Sequence, residues 1–294
     1  MKTKKIVAAA LTLVLAVSSG ALAGCGESTG SSEEFDKENE IKVISREEGS
    51  GTRGAFIELF GIEEKGDDGS KTDHTTKDAV IANQTEIMMK NVSGDDYAIG
   101  YVSLGSLNDT VKAVKIDGAE ATTDNVVSGE YTVSRPFNIV TKGAAAGLAK
   151  DFIDFILSDE GQQVVADNKY IPMEGAQKAN LSLPSGKIVV AGSSSVTPVM
   201  EKLKEAYLEK NKGANIEIQM SDSSAGISAA LEGTCDIGMA SRELKPEEAA
   251  ELTPLQIAID GIAVIINKNN SMDDLSKDAV KQIFSGDVTT WSEV

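Results

Sequence analysis

Four stretches of the chain place serine, threonine, glycine and arginine where an apolar run gives way to a polar turn: Arg46–Thr52, Ser193–Thr197, Ser223–Gly226 and Ser241–Arg242. Hydroxyls, backbone N–H groups and guanidinium forks are the groups that replace the hydration shell of an oxyanion. Serine and glycine are also ordinary turn residues, so one such junction says little. Four in one chain suggest convergence on a single anion. The first is the most explicit. In "IKVISREEGSGTRGAFIELF" (residues 41–60), Gly49-x-Gly51-x-x-Gly54 has the spacing of a dinucleotide fingerprint. Gly49 and Gly54 also have the spacing of a phosphate-binding P-loop, but Ala55-Phe56 stands where that loop needs Lys-Ser/Thr. Arg46-Glu47-Glu48 intervenes between strand and glycines, which breaks the dinucleotide reading too. What the readings share is a strand, a small-residue turn and a helix N-terminus whose free N–H groups attract an anion.

To position such turns the chain must alternate strands and helices, and its patterning is of that α/β kind. "IKVIS" (41–45) reads as a strand, "TRGAFIELFG" (52–61) as a helix and "KDAVIANQTEIMMKNVS" (77–93) as a longer amphipathic helix. "AIGYVSLG", "VKAVKID" and "SRPFNIVTK" are strands, and residues 145–168 are a helical pair broken near Ser158–Gly161. "SLPSG" (182–186) is a linker. Three strand–turn–helix units follow, beginning "KIVVAGSSSVTPV", "NIEIQMSDSSAG" and "CDIGMASREL". In the first, Thr197 suits the helix cap and Pro198 the first helical position. "QIAIDGIAVIIN" is a long strand, and the chain closes with a helix and turn in "LSKDAVKQIFSGDVTTWSEV".

The N-terminus speaks to compartment. Lys2, Lys4 and Lys5 precede the apolar run Ile6–Val17, and small residues end in Leu22-Ala23-Gly24-Cys25. This is the pattern of a secretory signal peptide (1–24), and its apolar run is shorter than the roughly 20 residues a span needs. L-A-G-C resembles a bacterial lipobox, which makes Cys25 the lipidated first residue and the polar residues 25–40 a flexible tether. The net charge is −18, and it becomes more negative when the leader lysines are removed. Such a surface repels nucleic acid and anionic headgroups, and 4% aromatic residues offer few base-stacking platforms. Apart from Cys25 only Cys235 remains, too few for an intrachain disulfide framework or a CxxC metal site; Cys235 is expected as a small buried residue. His74, the single histidine, lies in the polar segment "DDGSKTDHTTKD" and reads as a solvated loop residue. No cofactor, metal or catalytic constellation is expected, and the chain does not read as an enzyme.

Together "GSSSVTPVMEKLKEAY", "SSAGISAALEGTCDIGMASREL", "IAIDGIAVIINKNN", "IFSGDVTTW" and "ISREEGSGTRGAF" resemble the phosphate-binding proteins of ABC-type phosphate importers. These are type II periplasmic-type binding proteins, tethered as lipoproteins in Gram-positive bacteria. The likeness covers nearly all of residues 41–294. It implies a two-lobed α/β fold, each lobe a mixed sheet flanked by helices. It also implies a monomer on the outer face of the cytoplasmic membrane that captures inorganic phosphate between its lobes and delivers it to a membrane permease. Arg46 is then the fork to the oxyanion, against the alternative of a surface ion pair with Glu47 or Glu48. Ser50 and Thr52 donate hydroxyls, and Gly51 and Thr52 donate backbone N–H groups. Gly49 and Gly51 leave the ligand room. Ser194, Ser195 and Thr197 come from the second turn, Ser223 and then Ser224 from the third, and Ser241 from the fourth. In some relatives an aspartate follows that last serine and accepts the proton of phosphate; Arg242 stands here instead and implies a second positive contact. Glu48 and Asp222 are candidates for a carboxylate that repels sulfate.

The order of the motifs departs from that family. The half carrying R-E-x-G-S-G-T comes first, and the chain stops at "TTWSEV", where the family continues into "IKVISREEGSGT". The expectation is a circular permutation, with residues 41–135 plus 264–294 forming one lobe and 137–263 the other. Two rival functions are a binding protein for tungstate or molybdate and, from a different class, a secreted phosphohydrolase.

Overall fold

The apolar runs of the sequence become the inner strands of a mixed sheet in the computed structural model, which describes residues 35–66 and 70–294. The expected leader, Cys25 and the tether up to residue 34 lie outside the described residues. The first half supplies β1 (Lys42–Arg46), α1 (Gly51–Leu59), β2 (Glu63–Lys65), β3 (Lys71–Asp73), β4 (Val80–Ala82), α2 (Thr85–Ser93) and β5 (Ala98–Ser103). Then come β6 (Lys112–Ala113), β7 (Lys115–Ile116), α3 (Thr123–Ser128) and β8 (Ser134–Thr141). Next are α4 (Gly147–Ile156), α5 (Asp159–Asp167), β9 (Gly186–Ser193), α6 (Thr197–Lys210), β10 (Ala214–Ser221) and α7 (Ser223–Glu232). β11 (Ile237–Ala240), α8 (Pro246–Ala249), β12 (Thr253–Ile266), β13 (Asp274–Leu275) and α9 (Lys277–Ser285) complete the order. Among the described residues no helix is long and apolar enough to cross a membrane.

The main sheet runs β10-β9-β11-β8-β12-β5-β1-β4. Its two flanks are parallel: β9 pairs with β10 and β11 on one side, β1 with β5 and β4 on the other. The centre is antiparallel, where β8 lies along β12. Parallel strands covered by helices need apolar residues on both faces, and β5 (AIGYVS) is buried at every position. The buried apolar side chains fall into separate clusters. One draws on Ile41 to Val133 and again on Ile262 to Trp291. The others draw on Phe137 to Ala258. The chain passes between these halves twice, along β8 and along β12.

Close helix packing sets the turns. α7 lies so near the sheet that a Cβ on Gly226 would come 2.6 Å from the Gly192 Cα and 2.7 Å from the Ala191 carbonyl oxygen. A glycine pair here brings the start of α7 against the end of β9. The first described residues also meet the last: Ile41 N donates to Thr289 O at 2.8 Å, and Glu40 forms an antiparallel bridge with Thr290.

Three sequence expectations need correction. Residues 77–93 are not one helix, because Val80–Ala82 pair in parallel with β1 as an edge strand and the helix starts at Thr85. Thr197 is the first residue of α6 rather than its cap, and its hydroxyl donates to Ser193 O at 3.0 Å. Cys235 is half-buried beside the third cluster; burial and then the neighbouring Asp236 charge push its thiol up to about 11. His74 is exposed on its loop, 3.4 Å from Glu64.

Candidate anion-binding site

β1 and β4 run opposite to β9 and β10, because the pairings β5–β12, β12–β8 and β8–β11 are all antiparallel. The C-terminal ends of both groups nevertheless point toward the middle of the β8–β12 crossing, so the helices that follow β1, β4, β9 and β10 all begin there. The first N–H groups of a helix have no partner within it, and its dipole makes that end positive. α1, α2, α6 and α7 thus start around one place, and the residues at their starts touch. Thr52 Oγ1 of α1 lies 2.7 Å from Ser195 Oγ, just before α6. Thr85 Oγ1 of α2 lies 3.4 Å from both Ser194 Oγ and Ser195 Oγ. Ser241 Oγ accepts from Ser193 Oγ at 3.0 Å and lies 3.3 Å from Ser223 Oγ, which also accepts from Ser241 N at 3.1 Å. Gly51 closes the remaining side: a Cβ there would sit 2.4 Å from Ser223 Oγ and 2.7 Å from Ser241 Oγ. All of these residues are buried.

Arg46 brings the charge. It ends β1, and its backbone N–H donates to the Tyr101 hydroxyl at 3.0 Å. Tyr101 is buried and stacked on Phe56, with ring centroids 3.9 Å apart, and burial raises its phenol pKa, so it stays protonated. The Arg46 guanidinium, 2% exposed as a residue, reaches across to Ser194 Oγ at 3.0 Å and to Ala82 O at 3.0 Å. It also forks onto Glu47, with both contacts at 2.8 Å. The ion pair weighed as an alternative therefore exists, but around a buried arginine that faces the hydroxyls as well. Arg53 holds the turn by donating to Arg46 O at 2.6 Å, with Asp73 gripping its other nitrogens. Glu47 offsets much of the local charge, so an anion here meets mainly hydroxyls, helix ends and one shared guanidinium.

Arg46, Gly51, Thr52, Ser194, Ser195, Ser223 and Ser241 are thus brought together. Ser50 serves α1 as its cap, accepting from Arg53 N at 3.3 Å. Thr197 and Ser194 line an adjoining cleft of about 400 Å³ with Gln84, Thr85, Ser106, Asn108 and Met220. A smaller cavity of about 280 Å³, lined by Phe155, Lys178 and Lys210, shares none of the site residues. Arg242, expected as a second positive contact, is held by Glu248: its guanidinium forks onto that carboxylate at 2.7 and 2.9 Å and reaches Ser224 Oγ at 3.5 Å. Burial pushes the Glu248 carboxyl up, but the hydrogen bonds from Arg242 and Lys245 and their charges outweigh it and hold Glu248 below the usual glutamate range. Glu48 is exposed. Asp222 caps α7, accepting from Ala225 N at 2.8 Å, and stands against Gly49.

Two contributors were missed by the sequence reading. Ser193 was within a recognised junction but not named for its hydroxyl. Thr85 sits at a fifth strand–turn–helix junction, "VIANQTEI", which a single helix over residues 77–93 conceals.

The PBP superfamily domain matches residues 26–160 and 178–294. The "Phosphate-binding protein PstS 2" of Streptococcus agalactiae is 55% identical over 277 residues, covering 94% of this chain and 93% of the relative. That of Streptococcus pneumoniae is 48% identical over 297 residues, covering 100% of both. The crystal structure of a phosphate ABC transporter, phosphate-binding protein from Streptococcus pneumoniae TIGR4 superposes with a TM-score of 0.69 at 50% identity, covering 87% of this chain and 100% of that one. The chain belongs to the PBP superfamily and, within it, to the PstS phosphate-binding proteins.

Proposed function

We propose that the chain captures inorganic phosphate between two lobes and hands it to the permease of an ABC-type importer. The observation that carries this is the meeting of Arg46, Thr52 and Thr85 from one half with Ser194 and Ser195 from the other, all buried and within hydrogen-bond reach. Neutral donors on helix ends hold a small multivalent anion in a desolvated place, and the names of the full-length relatives agree. Each hydroxyl can both donate and accept, which suits an anion that keeps a proton, as phosphate does near neutral pH and sulfate does not. Competition among phosphate, sulfate, molybdate and tungstate for the purified body tests the assignment. Phosphate is expected to be displaced poorly by the other three; tungstate or molybdate winning would move the function to that rival.

Gly51 offers a steric test. Gly51→Val places a Cβ 2.4 Å from Ser223 Oγ and 2.7 Å from Ser241 Oγ, closer than van der Waals contact allows. The added bulk is expected to cost about 1–3 kcal/mol of packing and to fall on the joining of the two halves. Phosphate affinity should drop at least roughly tenfold while the thermal transition stays cooperative, since 1.4 kcal/mol is about a factor of ten. Unchanged affinity in a titration would place the ligand away from this turn.

The anchoring is proposed in the same way. Cys25 in L-A-G-C would carry the lipid, and residues 25–40 would tether the body to the outer face of the membrane. One acyl chain holds a protein only marginally, so more than one is expected on Cys25. Cys25→Ser should release the protein from the membrane fraction or leave its leader uncleaved, and a lipid still attached to the variant would contradict the assignment.

The permuted order is proposed on one structural ground. Residues 39–41 run beside residues 289–291, so the family's continuous passage from "TTWSEV" to "IKVIS" could be restored by a short joint.

A further inference from the structure

Arg135 and Asp260 face each other in the β8–β12 ladder, at the point where both strands cross between the two cores. Their side chains are 2% and 0% exposed. Arg135 Nη2 and Nε donate to one carboxylate oxygen, Asp260 Oδ2, at 3.1 and 3.4 Å. Val133 and Phe137 flank the arginine, Ala258 and Ile262 flank the aspartate, and all four are fully buried. A buried ion pair is weak evidence for stability, because well-packed apolar residues often serve as well or better.

The other contacts of the pair show a different use. Asp260 Oδ1 accepts from Ser103 Oγ at 2.8 Å, and Ser103 ends β5 in the first half. Arg135 Nη1 donates to Ser241 O at 3.1 Å, and Ser241 follows β11 in the second half. The Phe137 ring lies under the guanidinium, 5.3 Å from its carbon. A continuous path therefore runs Ser103–Asp260–Arg135–Ser241, through both crossings and into the hydroxyl cluster, where Ser241 meets Ser193 and Ser223.

We infer that Arg135 is a positioning residue for the anion site: anchored by Asp260 at the pivot of the two halves, it fixes the Ser241 carbonyl so that the N–H and hydroxyl of Ser241 stay turned into the cluster. This rests on the phosphate-binding reading. It also assigns the two connecting strands a role in setting affinity as well as in joining the halves.

The test separates stability from affinity. Thermal unfolding and phosphate titration are measured on the unmodified chain, on Arg135→Met/Asp260→Leu and on Asp260→Asn. The paired apolar replacement is expected to melt near the unmodified chain yet bind phosphate on the order of 10- to 100-fold more weakly, as the loss of a buried donor to a site backbone group implies. Asp260→Asn can still accept from Ser103 but frees the arginine from its charged anchor, and should weaken binding at least roughly tenfold on the same basis. Ser241→Ala should cost less affinity in the paired background than in the unmodified chain, the non-additivity of residues that act together. If the paired variant does not fold, Asp260→Asn decides alone. A folded variant of either kind with unmodified affinity would overturn the inference and leave the phosphate reading standing. Failure of the unmodified chain to bind phosphate would overturn both.

Discussion

Arg46→Ala is expected to weaken phosphate binding by about 2–5 kcal/mol, the range for truncating one partner of a buried charged contact. Three losses coincide. The fork to the anion goes, and so does the link across the halves to Ser194 Oγ at 3.0 Å. The Glu47 carboxylate, now paired with the guanidinium at 2.8 Å, is left beside the site as an uncompensated negative charge. Such a charge repels the ligand and carries its own desolvation penalty. Arg46→Lys keeps the charge but cannot fork onto Glu47 and reach Ser194 together, so an intermediate affinity is expected. Calorimetric titration, with a melt to confirm folding, measures both variants. Affinity unchanged in Arg46→Ala would remove the arginine from the site.

Separating the halves should have an effect at least as large. Residues Phe137–Ala263 contain most of β8 and of β12 and the clusters built from Phe137 to Ala258. Expressed alone, this segment is expected to fold cooperatively and keep the Ser194, Ser223 and Ser241 turns. It lacks Arg46, Gly51, Thr52 and Thr85, so its phosphate affinity should fall by more than roughly 100-fold, a loss above about 2.7 kcal/mol. The complementary experiment keeps every contact and changes only the order. A chain running Lys187–Val294, a short Gly-rich joint and then Ile41–Ala179 is expected to bind phosphate close to the natural order. Ile41 and Thr289 already lie within a 2.8 Å hydrogen bond, and each doubling of joint length costs only about 0.6 kcal/mol of loop entropy. A folded reordered chain that fails to bind, beside a natural chain that binds, would contradict the permutation.

What was readable in the sequence was local. "KIVVAG", "NIEIQM" and "DIGMA" each precede a hydroxyl-rich turn, and β9, β10 and β11 with their turns fall where that pattern puts them. The long strand read in "QIAIDGIAVIIN" is β12 up to Ile266; its largely apolar run, broken by Asp260 and Gly261, suits a strand covered on both faces. Residues 77–93 misled because Val80 and Ile81 are apolar yet exposed on an edge strand, so they fit the helical period of α2 without belonging to it. That error concealed Thr85. Arg242 shows a different limit: Glu248, six positions on in α8, competes for its guanidinium over a short range. An arginine next to a site serine is not thereby aimed at the ligand. Arg135 and Asp260 lay beyond a local reading, since a ladder that joins residues 125 positions apart has no short-range signature. Fold and anion class were legible in repeated junctions; the division of labour among polar side chains was decided by partners distant in sequence.

The most direct test of the account is an isothermal titration of residues 35–294 with inorganic phosphate at low and at moderate salt. The account predicts one phosphate per chain with an affinity that changes little as salt rises, because the donors are buried and are screened far less than surface charges. Absence of binding, or binding that fades with salt as a surface contact would, contradicts it.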